Sequence, residues 1–284
     1  MMTKLLAVIL AVLIACSAAA AQDEQIVWEK DFKKAQILAR ESGRPLLLDF
    51  TAPWCKPCKA MDERFWVLAD VVKAMKPFVA VKVDFDNEKG LVGKYSVSAI
   101  PFVAFADPLG NMVTFRRGFS SKNANELNQI FSEMPKDFSS LKTSYAALET
   151  KKDDHAALVQ IADAYRGWGM LSLSGDFYKK ALKTDEIKAD AEKSEIIRVK
   201  LALNYYALKD YRQANNYFED YLKDYPAGKH REIVVSALTV GYAGLGKTKE
   251  AVKYLEVLKT EFPASKNLAA AENAVAETKN KREK

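Results

Sequence analysis

Apolar positions along the chain fall into two regimes. From about residue 26 to 135, helical spacing alternates with short continuous apolar runs. Asp31 to Ser42 places Phe32, Ala35, Leu38 and Ala39 on one face, the three-and-four spacing of an amphipathic helix. Gly43 and Pro45 stop it. Leu46 to Phe50 is nearly unbroken in its apolar character, as expected of a strand buried on both faces. Cys55 to Met75 predicts one long helix with a kink at Pro57. Phe78 to Phe85 predicts a second strand, and Glu88 to Tyr95 a short helix. Phe102 to Ala106 and Met112 to Arg116 predict two strands joined through the hairpin loop 107–111. Ala124 to Met134 closes the series as a helix that Pro135 ends. This order predicts an α/β fold with a mixed sheet flanked by helices.

From about residue 137 strand signals vanish, and alanine, leucine, tyrosine and lysine recur at helical spacing. Three segments keep the same internal positions. Ile161-Ala162 is followed by Tyr165, Gly169, Tyr178 and Ala181; Leu201-Ala202 by Tyr205, Ala214, Phe218 and Pro226; Leu238 by Tyr242, Gly246, Ala251, Leu255 and Pro263. Pro226 and Pro263 each lie 25 positions after the leucine of their segment. The pattern resembles tetratricopeptide repeats, helix–turn–helix units of about 34 residues. Small residues let two helices approach, aromatics fill the space between them, and proline ends the second helix. Successive segments are offset by 40 and 37 residues, so the turns between repeats carry insertions. Leu268 to Val275 reads as a capping helix. The resemblance implies a concave surface for a protein partner; a plain helical bundle used for self-association is the alternative.

The expected boundaries are a signal peptide over 1–21, the α/β domain over 22–135, a linker helix over 136–152 and the helical repeats over 153–284. Lys4 and the apolar run Leu5 to Ala15 have signal-peptide form, and the run is short for a membrane span. Two processing routes stay open. Ala19-Ala20-Ala21 before Gln22 resembles a signal-peptidase site, whereas Leu13-Ile14-Ala15-Cys16 resembles a lipobox that would place a lipid on Cys16. Either route predicts export, soluble or tethered to the membrane. The net charge of +6 over 284 residues, without a basic block before Lys279, argues against nucleic acid as a partner.

Removal of the leader would leave Cys55 and Cys58 of the three cysteines. Two thiols so close form no structural framework and no four-cysteine zinc site. His155 and His230 lie far off in the sequence and read as surface or packing residues. In Trp54-Cys55-Lys56-Pro57-Cys58-Lys59 the two sulfurs can close a disulfide within one helical turn. With a strand ending near Phe50 and a helix starting near Cys55, the first sulfur meets unpaired N–H groups and the positive end of the helix dipole, which stabilise a thiolate. Lys56 and Lys59 add positive charge. Cys55 is therefore the expected nucleophile, with a depressed pKa, and Cys58 the resolving thiol. The dithiol carries the electrons itself, so no cofactor and no metal is expected.

The stretch Leu48-Asp49-Phe50-Thr51-Ala52-Pro53-Trp54-Cys55-Lys56-Pro57-Cys58-Lys59 resembles the signature of the thioredoxin family. Ala99-Ile100-Pro101 resembles its cis-proline loop, and Gly118 its glycine beside the substrate groove. Residues 26 to 135 are most similar to exported members related to the C-terminal domain of thiol:disulfide interchange proteins. The resemblance implies that Asp49 is a buried carboxylate accepting the Cys58 proton, with Lys82 as its neighbour. It also implies that Pro101 is cis, that the backbone of Ile100 pairs with extended substrate, and that Trp54 shields the site. Lys56 between the cysteines, Pro53 before Trp54 and Phe102 after Pro101 depart from the common pattern. The first should make the disulfide more oxidising; the others bear on substrate preference.

The expected function is reduction of protein disulfides, fed by a membrane electron donor, with a protein partner on the repeats. Pro57 matches the reductase-type motif. A disulfide oxidase or isomerase, or a redox-passive scaffold whose function lies in the repeats, are the alternatives.

Overall fold

A computed structural model describes residues 25–282; the signal peptide expected over 1–21, with Cys16, lies outside the described residues. The chain divides between Asp137 and Phe138 into two compact units.

The first unit runs β1 (Trp28–Glu29), α1 (Phe32–Ser42), β2 (Leu46–Thr51), α2 (Lys56–Arg64), α3 (Ala69–Met75), β3 (Val79–Asp84), α4 (Lys89–Lys94), β4 (Phe102–Ala106), β5 (Met112–Arg117) and α5 (Ser121–Glu133). The strands form one mixed sheet in the order β1-β3-β2-β4-β5. β1 and β2 pair parallel with β3, whereas β4 is antiparallel to both β2 and β5.

Strand alternation decides which core each residue joins. Leu46, Leu48 and Phe50 pack with Val79, Val81 and Val83 on one face. Leu47 packs on the other with Ala80, Met61, Phe65 and Trp66. Asp49 and Lys82 are in phase with Leu47 and Ala80, and they stand opposite each other in the β2–β3 register.

The expected single helix from Cys55 to Met75 is two helices, α2 and α3, broken at 65–68. Phe65 and Trp66 are adjacent and both buried. On a continuous helix neighbours diverge by roughly 100°, so the two rings could not enter one core. The break turns both inward, and the N–H groups of Phe65 and Trp66 share the carbonyl of Met61. Pro57 causes no kink. It occupies the first turn of α2, where its missing N–H removes no helical bond. β1, two residues long, is too short to announce itself by period.

The second unit opens with a 3₁₀ turn, Ser139–Leu141, and α6 (Lys142–Thr150). It continues with α7 (His155–Gly167), α8 (Leu171–Ala181), α9 (Asp185–Ala189), α10 (Ala191–Ala207), α11 (Tyr211–Asp224), α12 (Arg231–Gly244), α13 (Thr248–Glu261) and α14 (Leu268–Arg282). The helix pairs α7/α8, α10/α11 and α12/α13 coincide with the three sequence segments. Each holds an aromatic pair twelve positions apart: Tyr165–Phe177 at 5.5 Å, Tyr205–Tyr217 at 5.4 Å and Tyr242–Tyr254 at 5.7 Å between centroids. The extra helix α9 fills the larger offset between the first two segments. Among the described residues no helix is long and apolar enough to cross a membrane.

Candidate active site

The site forms where β2 ends and α2 begins. Cys55 is the N-cap of α2, and its Sγ accepts the N–H of Cys58 at 3.3 Å. Cys55 and Cys58 are joined by a disulfide, with Cα atoms 5.3 Å apart, and both are buried. Lys56 and Lys59 are exposed on the first turn beside them. A thiolate at Cys55 would therefore face helix N–H groups, the dipole and two cations, all of which lower a thiol pKa.

Asp49 lies on β2, six residues before Cys55, and is 2% exposed. Its Oδ2 accepts from Lys82 Nζ at 2.5 Å and from Trp66 Nε1 at 3.0 Å. Its Oδ1 is buried with no hydrogen-bond partner. Burial pushes this carboxyl above its ordinary value; the Lys82 charge and the Trp66 N–H pull it back, and the Asp62 carboxylate adds to the rise. Lys82 also pairs with Asp62, so one ammonium serves two carboxylates. A cleft of about 400 Å³ beside the site is lined by Ala52, Pro53, Lys59, Asp62 and Lys82.

The Ile100–Pro101 bond is cis. Ile100 and Phe85 pack against Ala52, Cys55 and Cys58. Gly118 donates its N–H to the Pro101 carbonyl at 2.7 Å and has φ of 78°, a conformation that favours glycine. Trp54 is 63% exposed, with its indole N–H on Asp86 at 2.7 Å and its ring near Phe85. Phe102 is a core residue stacked on Phe115 with centroids 4.8 Å apart.

The structure thus groups the buried Cys55–Cys58 disulfide with the half-buried Ile100 and the exposed Trp54, and it pairs the buried Asp49 with the half-buried Lys82. Sequence reading missed Asp62, Trp66 and Trp28. Asp62 had a signal, since it lies four residues after Cys58 and one turn along the same helix face. Trp66 had none, because its position depends on the helix break.

The family described as thioredoxin-like matches residues 27–108, and the tetratricopeptide repeat matches 198–227 and 240–265. A thioredoxin of Mycoplasmoides gallisepticum is 34% identical over 89 residues, 31% of this chain and 83% of that protein. An H-type thioredoxin of Oryza sativa subsp. indica is 36% identical over 75 residues, covering 26% of this chain and 59% of that protein. A thiol:disulfide interchange protein of Colwellia psychrerythraea is 31% identical over 105 residues, 35% of this chain and 17% of that protein. The chain spans about half the length of three of the plant thioredoxins it matches, 47–59% of each.

Proposed function

The chain belongs to the thioredoxin family, and we propose that it is an exported thiol–disulfide oxidoreductase that reduces protein disulfides through Cys55 and Cys58. The observation that carries this reading is the disulfide closed across the first turn of α2, with Cys55 as the N-cap.

In the reduced protein the Cys55 thiolate attacks one sulfur of a substrate disulfide. A mixed disulfide forms and one substrate thiolate leaves. Cys58 loses its proton to Asp49 and attacks Cys55 Sγ. The second substrate thiolate departs as the Cys55–Cys58 bond forms. The substrate gains two electrons, and the protein must be re-reduced by an external dithiol donor. The open Oδ1 and the raised pKa of Asp49 suit a proton acceptor working near neutrality. Extended substrate would lie across Trp54, the Ile100–Pro101 turn and Gly118, pairing with the backbone of Ile100. Lys56 and Lys82 tune the thiol and the carboxylate respectively.

Export rests on the leader of Lys4, the apolar run to Ala15 and the small residues that follow. A membrane donor fits that location. The tetratricopeptide match supports a protein partner on the second unit. Mass spectrometry of the exported protein's N-terminus separates a chain starting at Gln22 from one lipidated at Cys16.

The deciding experiment equilibrates the protein in glutathione buffers and measures the Cys55–Cys58 reduction potential. A value near about −270 mV supports a reductant, and a value near about −120 mV overturns that direction in favour of a disulfide-forming oxidant.

A further inference from the structure

The two oxygens of Asp49 have unlike surroundings. Oδ2 takes both Lys82 Nζ and the indole N–H of Trp66, while Oδ1 is buried without a partner. We propose that Trp66 is a positioning residue for this carboxyl: with Lys82 it engages Oδ2 and so orients the group with Oδ1 as the open proton acceptor. The inference rests on the dithiol reading above, in which Asp49 takes the Cys58 proton.

Trp66 reaches the carboxyl because α2 stops at Arg64. The same break that buries Phe65 carries the indole to 4% exposure and aims its N–H at β2. Trp28 backs both donors. Its ring meets Trp66 edge-on with centroids 5.3 Å apart, and Lys82 Nζ lies 4.4 Å from the Trp28 centroid. The three groups limit one another's rotation, so the carboxyl is gripped at one oxygen by two donors that are themselves packed.

The two donors differ in kind. The Lys82 ammonium is divided between Asp49 and Asp62, and it borders the cleft, where solvent can screen it. The indole N–H carries no net charge, does not titrate and is sealed from water, so its bond to Oδ2 is directional. Such a bond favours the charged carboxylate and fixes which oxygen remains free. The charged groups acting on Asp49 are Lys82 from β3 and Asp62 from α2. β4 presents the uncharged Val103 opposite it. Lys30, Lys59, Asp84 and Glu88 line the cleft together with Lys82 and Asp62.

The test follows the four indole N–H resonances of the reduced full chain through a pH titration, beside the Asp49 carboxyl carbon. The Trp66 signal should move with the same midpoint as Asp49, while that of Trp168, in the helical unit, stays still. In Trp66→Phe the Asp49 midpoint should rise by about one pH unit, and the pH profile of substrate reduction should rise with it. A Trp66 signal that stays flat through the Asp49 titration overturns the proposal, as does a folded Trp66→Phe protein with both midpoints unchanged. If Trp66→Phe does not fold, the wild-type titration alone decides. A wild-type protein that leaves insulin disulfides intact while Trp66 follows Asp49 overturns the oxidoreductase reading and with it the catalytic meaning of the orientation; a flat Trp66 in a protein that reduces insulin overturns only the positioning role.

Discussion

Asp49 and Lys82 face each other in the parallel register of β2 and β3, and Lys82 Nζ closes on Asp49 Oδ2 at 2.5 Å. A cation at this distance favours the carboxylate over the acid. Replacing Lys82 with Met removes that charge, so the Asp49 midpoint should rise further above its ordinary range. At pH 7 substrate reduction should fall several-fold and recover at higher pH. An unchanged rate–pH profile in Lys82→Met would place the lysine outside the reaction.

The same carboxyl makes stability depend on pH. Burial raises its folded-state pKa, so between the ordinary value near about 4 and the folded value the native chain binds more protons than the unfolded one. Its stabilising contribution is complete below that window and is lost as pH rises through it. Asp49→Asn carries no charge, and Lys82 keeps Asp62 as a partner. The variant should exceed wild type by on the order of 1 kcal/mol at pH 8 and by little at pH 4, while exchanging disulfides roughly ten- to hundred-fold more slowly. Urea unfolding at the two pH values checks the first expectation.

The two cysteines have unequal roles in the proposed cycle. Cys58→Ser should accumulate a mixed disulfide between Cys55 and substrate, visible as a reducible band on a non-reducing gel. Cys55→Ser should accumulate none. Equal trapping by both variants would contradict the assignment of Cys55 as nucleophile.

Gly118 tests the backbone beside the cis-proline. A Cβ there would have room, since the nearest atom, Asn123 Nδ2, lies 3.7 Å away. The φ of 78° is the obstacle. Gly118→Ala should therefore destabilise the protein by about 1–2 kcal/mol through backbone strain alone, and it should raise KM more than it lowers kcat. An unaltered melting temperature would show that the loop relaxes.

In the helical unit the turns inside the three helix pairs carry Gly169, Lys209 and Gly246, with φ of 76°, 59° and 70°. Lys209 occupies a position that glycine fills in the other two. Lys209→Gly should stabilise this unit by about 1 kcal/mol, measured as a higher urea midpoint of its transition.

Much of this was legible along the chain because local spacing dictates local structure. Leu46 to Phe50 reads as a strand because each of its residues is buried, and alternate side chains supply opposite cores. The repeats read clearly because Ala202 and Ala214 must be small wherever two helices touch. The expected helix from Cys55 to Met75 came out broken because helical periodicity cannot register that Phe65 and Trp66 compete for the same core. With the break hidden, the bond from Trp66 to Asp49 was hidden too. Asp62 was overlooked for a related reason: its spacing from Cys58 gave the face, but nothing local gave its partner Lys82, twenty residues away on β3.

The sequence by itself determined the reacting pair. Cys55 and Cys58 are three positions apart at the start of a helix, and their proximity and the helix N-terminus are both local. Tertiary structure alone decided the state of Asp49. Its burial, its sharing of Lys82 with Asp62, the indole on Oδ2 and the open Oδ1 come from β2, β3 and the broken end of α2 meeting in space. A carboxyl pKa is set by solvent exclusion and neighbouring charge, and both are properties of packing between segments distant in the chain.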